Sequence, residues 1–228
     1  VCDRDGPDGI YRSVNGFQIV RLELKAALTS VMTTMCGGAF GCQSLVAASD
    51  RSTPVVLVHG LFGSPANFWA LRRSLEAGGI RRFAGFSYVP RTDHQALARE
   101  LAAWIETVCA RSGAAAVDVV GHSLGGLIAR FMLEHGDGTR IRRLVTLGAP
   151  WYGQRFPHRE LAIFGGADWL IPIPDRRCAE GCRRKVIPDC SHLSLLYDPR
   201  AHSAVAEHLV APPRAVRSES VAGVAMAA

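Results

Sequence analysis

The sequence predicts an α/β domain: a mostly parallel sheet wound with helices on both faces. Three observations predict it. Short apolar runs that end in glycine alternate with segments whose apolar residues recur at helical spacing. One such run, Val117 to Val120, passes through Gly121-His122-Ser123-Leu124-Gly125 directly into the helical segment Leu127 to Leu133. Further along, Asp168 and His192 each follow the end of a strand-like run, where open α/β sheets carry their reactive groups.

Taken in order, residues 1–25 mix Asp, Arg and Gly with short apolar runs and offer no chemistry. Residues 26–49 contain no charge, follow Lys25 and end in Val46-Ala47-Ala48. That pattern resembles an export signal, and the length suits a membrane span. The Thr, Ser and Gly content also suits a half-buried helix or irregular cap on the domain. We expect a secreted or envelope-associated protein ahead of a cytoplasmic one.

Pro54 to His59 is a continuous apolar run closed by Gly60, which reads as a buried parallel strand. Leu61 to Asn67 is turn chemistry, Phe68 to Ala77 a helix, and Arg82 to Val89 a second strand. Thr92 or Asp93 caps a helix with apolar residues at Leu97, Leu101, Ile105 and Val108. Ile141 to Gly148, Leu161 to Gly165 and Arg184 to Ile187 supply three more strands, and Pro199 to Leu209 a last helix. The expected division is an N-terminal segment (1–53), one domain (54–210) and a frayed tail (211–228).

Composition narrows the partners. At 228 residues and 48% apolar, the chain can bury one sizeable core. Its net charge of +6 comes almost wholly from arginine, in scattered pairs and not one aromatic-interleaved stripe. Nucleic-acid binding is therefore not expected, while contact with an anionic lipid surface remains open. Among seven cysteines, Cys109 falls on a helical core position. Cys178, Cys182 and Cys190 precede His192 without a zinc-finger spacing, so a local disulfide among these three is expected rather than a metal site.

The strand–Gly-x-Ser-x-Gly–helix arrangement has a mechanical reason. Ser123 must occupy a tight, strained turn so that its hydroxyl projects above the sheet, and side chains at Gly121 and Gly125 would collide there. Gly126 would let the helix approach the strand. A serine hydroxyl is a weak nucleophile, so it needs a base and a group to orient that base. The order Ser123, Asp168, His192 supplies nucleophile, acid and base, with Asp175 and Asp189 as rivals for the acid. Charge developing on a carbonyl oxygen needs two aimed amides. Leu124, directly after the nucleophile, is one, and Leu61 in His59-Gly60-Leu61-Phe62-Gly63 is the other. His59 is read as structural. The chemistry calls for no cofactor and no metal.

Five segments carry a resemblance: Val55 to Gly63, Val119 to Gly126, Val145 to Pro150, Gly166 to Asp168 and Ser191 to Leu196. Together they resemble the small bacterial lipases and esterases of the α/β-hydrolase family, and Thr146-Leu-Gly-Ala-Pro150 is a mark of the lipase branch. The resemblance spans about residues 54–209. It implies an α/β-hydrolase fold and hydrolysis of acyl esters or lipids through an acyl-enzyme on Ser123. An acyltransferase or thioesterase on the same fold, a non-catalytic hydrolase-like binding protein, and a membrane-tethered structural protein are the alternatives.

Access to the site follows from one interval. Ala149 to Glu160 contains Pro150, Gly153 and Pro157 and is too short for a multi-turn helical lid with its two connections. The fold should be minimal and lidless. Trp151, Tyr152, Phe156 and Trp169 are then available to rim an acyl groove.

Overall fold

The computed structural model describes residues 16–36, 52–134, 137–151, 159–174 and 183–211. Six strands form one sheet: β1 (Val55–Val58), β2 (Phe83–Phe86), β3 (Val117–His122), β4 (Ile141–Leu147), β5 (Glu160–Gly165) and β6 (Arg183–Ile187). All pairings are parallel, in the order β2-β1-β3-β4-β5-β6. The chain leaves β1 in one direction to form β2, then crosses back to place β3 on the other side. The reversal opens a crevice at the carboxyl ends of β1 and β3. Register keeps those ends level, with Val58 opposite Gly121, His122 opposite Leu147, and Leu147 opposite Ile163.

Strand alternation divides the core into two layers. Val55, Leu57, Val120, Val145, Leu147 and Ile163 face the helices α2 (Trp69–Ala77) and α5 (Pro199–Val210). Val56, Val58, Val117, Val119 and Leu144 face α3 (His94–Ser112) and α4 (Leu124–Glu134). Full burial of each such Leu, Ile or Phe contributes roughly 1.5–3 kcal/mol, so the two layers hold the sheet edge that carries the site. Asp93 caps α3 by accepting from the Ala96 amide, and Gly113 ends it in the left-handed conformation. Asp198 caps α5, which starts with Pro199.

Two polar groups are taken deep into the structure and answered there. Arg130 of α4 is fully buried and forks onto Glu160 at 2.7 and 3.1 Å, while its third nitrogen donates to the Pro150 carbonyl. Thr146 donates to the same carboxylate at 2.6 Å. The network fastens α4 to β4 and β5. Asp118, buried inside β3, is paired with Arg142.

The structure departs from the sequence reading in three places. β2 is shorter than Arg82 to Val89, because Arg82 turns inward to donate to the Ser52 and Ser112 carbonyls. Beyond Phe86 the chain leaves the sheet edge so that Tyr88 can stack on His59. The third difference is α1 (Gly16–Met35), which starts ten residues before the uncharged run and lies on the domain. It faces inward with Glu23, Ala26, Ala27, Ser30 and Thr33, and outward with Val20, Leu24, Leu28 and Met32. No helix among the described residues is long and apolar enough to cross a membrane. The rest of the uncharged run, 37–49, lies outside the described residues.

Candidate active site

Ser123 stands between β3 and α4 with φ of 52°, a left-handed conformation unusual for a residue with a side chain. Its amide donates to the Leu147 carbonyl and its carbonyl accepts from Gly126 and Leu127, so the turn is held from both sides. The glycines explain how the turn fits. A Cβ on Gly125 would lie 2.2 Å from the Val58 carbonyl oxygen, and one on Gly121 would lie 2.6 Å from Gly126. Gly126 serves a different neighbour than expected. Its Cβ would meet Ala149 and Thr146, so it clears space against β4 and the segment after it.

Asp168 and His192 come together. Oδ2 of Asp168 lies 2.7 Å from Nδ1 of His192, and both side chains are buried. The other oxygen of Asp168 accepts from the Leu170 and Ile171 amides at 2.9 Å, which fixes the carboxylate plane. Gly148, at φ of 55°, passes so close that a Cβ there would sit 3.1 Å from His192 Nδ1. Asp189 is engaged elsewhere, with Arg200 at 2.6 Å, and Asp175 lies outside the described residues.

The loop after β1 approaches the same point. A Cβ on Gly60 would lie 3.0 Å from Cβ of Ser123. Leu61 follows it, exposed at the rim, and Phe62 adopts φ of 56°. Leu124 opens α4, where an amide has no intrahelical acceptor. His59 donates through Nδ1 to the Gly60 carbonyl at 2.8 Å, stacks on Tyr88 and is depressed in pKa by burial. It braces the loop.

One residue of the site has no signal in its spacing. His122, within the elbow, lies 3.1 Å through Nε2 from the His192 carbonyl oxygen, and the two rings are 4.8 Å apart. Burial drives its pKa down to about 3, so the ring is a neutral donor to that carbonyl. His202 and His208 likewise sit buried against the Leu196 and Arg159 carbonyls, with lowered pKa values. An unfolded chain protonates these rings near pH 6.5 and the folded protein does not. Stability should therefore be full above about pH 6.5 and fall progressively below it as the unfolded rings take up protons that the folded ones do not. Denaturant unfolding at pH 7.5, 5.5 and 4.5 checks this. Equal stability at all three would show that the rings are not held neutral.

A cavity of about 180 Å³ opens beside the loop after β1. Gly60, Leu61 and Phe62 form one wall, Ala27, Val31 and Thr34 of α1 the facing wall, and His122 and Leu193 part of the floor. The interval judged too short for a lid is undescribed from 152 to 158, which also takes Tyr152 and Phe156 outside the described residues. Among the described residues no lid helix is inserted there, and α1 lines one side of the cavity. Trp151 packs against Ala162 and Phe164, and Trp169 is exposed next to Asp168. Of the three clustered cysteines, Cys190 enters no disulfide. It is buried beside Ser194, and burial pushes its thiol up to about 12. Cys178 and Cys182 lie outside the described residues.

Comparison with known proteins gives the family. Two triacylglycerol lipases, from Pseudarthrobacter phenanthrenivorans and Burkholderia plantarii, are each 29% identical over 111 residues, 45% of this chain. The chain spans about a third of the length of these relatives, 34% and 31%. The crystal structure of Aspergillus fumigatus lipase B superposes with a TM-score of 0.57 at 14% identity, covering 71% of this chain and 53% of that one. At that identity the likeness speaks for the fold. The family model described as the alpha/beta hydrolase fold matches residues 53–170, just over half the chain. With the parallel sheet and the strained serine at its switch point, that match settles the relationship: the chain belongs to the α/β-hydrolase family.

Proposed function

We propose that the protein is a serine ester hydrolase acting on acyl esters or lipids, with Ser123 as nucleophile, His192 as base and Asp168 as the orienting acid. The observation that carries this reading is the 2.7 Å His192–Asp168 pair, set across β4 from a serine held at φ of 52°. Asp168 accepts a hydrogen bond from Nδ1–H, which keeps the proton on that nitrogen and leaves Nε2 of His192 free to take the Ser123 proton. Ser123 Oγ then attacks the ester carbonyl, and the amides of Leu61 and Leu124 receive the oxyanion. His192 returns the proton to the departing alcohol, leaving an acyl-enzyme. Water, activated by the same imidazole, releases the acid.

The apolar cavity between α1 and the 60–62 loop suits an acyl chain. Outside it, the exposed Val20, Leu24, Leu28 and Met32 of α1 and Phe62 at the rim support contact with a lipid surface. Hydrolysis rates across p-nitrophenyl esters from acetate to decanoate test the reading. Wild type should turn over the series, and Ala27→Phe, which fills the cavity, should cut kcat/KM for decanoate at least about tenfold more than for acetate. An absence of turnover on every ester would overturn the function. A chain-length profile unchanged by Ala27→Phe would remove the cavity as the acyl site.

A further inference from the structure

Glu23 sits in α1, in a stretch where the sequence shows no chemistry, yet its carboxylate reaches the loop that carries His192. The Ser191 hydroxyl donates to it. The Leu193 amide donates to its two oxygens at 3.1 and 3.2 Å, and the Ser194 amide to one of them at 3.3 Å. These donors flank His192 on both sides. The residue between them is held at its ring by Asp168 and at its carbonyl by His122. One carboxylate therefore ties down the Ser191 side chain before the imidazole and the Leu193–Ser194 backbone after it.

The rest of α1 is anchored so that Glu23 stays in place. Asn67 donates to the Ser30 carbonyl and to the Thr33 hydroxyl, at 2.8 and 2.7 Å, while its oxygen accepts the Ser64 amide. Ser30 is 2.8 Å from the Tyr197 hydroxyl. The helix thus joins the turn that follows the 60–63 loop to the loop of His192. Its inward face is small and polar, as this bridging requires, and contributes little to the apolar core.

We infer that Glu23 is a positioning residue for His192, acting through the Ser191–Ser194 backbone and not on the reacting atoms. The inference rests on the reading of His192 as the catalytic base. Without the carboxylate, two amides and a hydroxyl lose their acceptor, the loop gains freedom, and the imidazole spends less time aligned between Asp168 and Ser123. A displacement of about 1 Å in such a group costs up to about a hundredfold in rate.

The test compares wild type, Glu23→Gln and Glu23→Ala by two measurements. The first is amide hydrogen exchange at Leu193 and Ser194, which needs no substrate. The second is ester hydrolysis resolved into kcat and KM, per folded molecule. Protection at both amides should fall in Glu23→Ala, and kcat should drop about 10- to 100-fold with KM within about twofold. Glu23→Gln, the same shape with one acceptor oxygen left, should fall between the two and remains informative where the alanine variant unfolds. Unchanged amide protection overturns the inference, and so does lost protection with kcat intact. A wild type inactive on all esters is a separate failure, that of the ester-hydrolase reading, and the exchange measurement then still decides whether Glu23 holds the loop.

Discussion

Replacing Ser123 by alanine is expected to lower ester turnover by about 10⁴- to 10⁶-fold. The size follows from the position. The hydroxyl is presented from a residue at φ of 52°, a costly backbone conformation of the kind found at reactive sites. Alanine bears the same strain in the same turn, so thermal stability should stay close to wild type. Turnover of p-nitrophenyl butyrate in stopped-time assays, together with a melting curve, separates the two effects. Activity within about tenfold of wild type in a folded Ser123→Ala protein would mean that another group is the nucleophile.

Asp168→Asn should be nearly as damaging, with kcat reduced by about 10⁴-fold. An asparagine at this site keeps the shape and can still accept from the Leu170 and Ile171 amides. It no longer dictates which nitrogen of His192 carries the proton, so the ring is populated in the wrong tautomer. Asp189→Asn provides the contrast. Asp189 is partly exposed and bonded to Arg200, so its loss should change kcat by less than about threefold, as expected of a surface ion pair. A strong effect at Asp189 with a weak one at Asp168 would reverse the assignment.

The parts of this fold that were legible were those in which burial and periodicity agree. β1, β3, β4 and β5 are apolar runs because both of their faces are covered, and α3 announces itself through Asp93 and its spaced Leu97, Leu101 and Ile105. The Asp168–His192 pairing was legible because each residue follows a strand end, Asp168 that of β5 and His192 that of β6. α1 was not, for a physical reason. Its apolar residues point outward and its small polar ones inward, so periodicity indicates the wrong face. The partners of Glu23 are also 168 to 171 positions away, beyond any local pattern. His122 was hidden similarly. It occupies the free position of the elbow motif, and its value comes from a carbonyl 70 residues on. The place of Cys190 was not legible either, because clustering in sequence says nothing about the direction of a side chain. It turns inward to Ser194.

The most direct measurement is the site of covalent labelling by a fluorophosphonate, read by intact mass and by peptide mapping. This reagent phosphonylates a serine only where a base and oxyanion donors activate it. A single adduct on Ser123 in wild type, lost in Ser123→Ala and strongly slowed in Asp168→Asn, is the predicted result. An adduct that maps to another residue, or labelling that persists in Ser123→Ala, would contradict the assignment of Ser123, Asp168 and His192 as one catalytic unit.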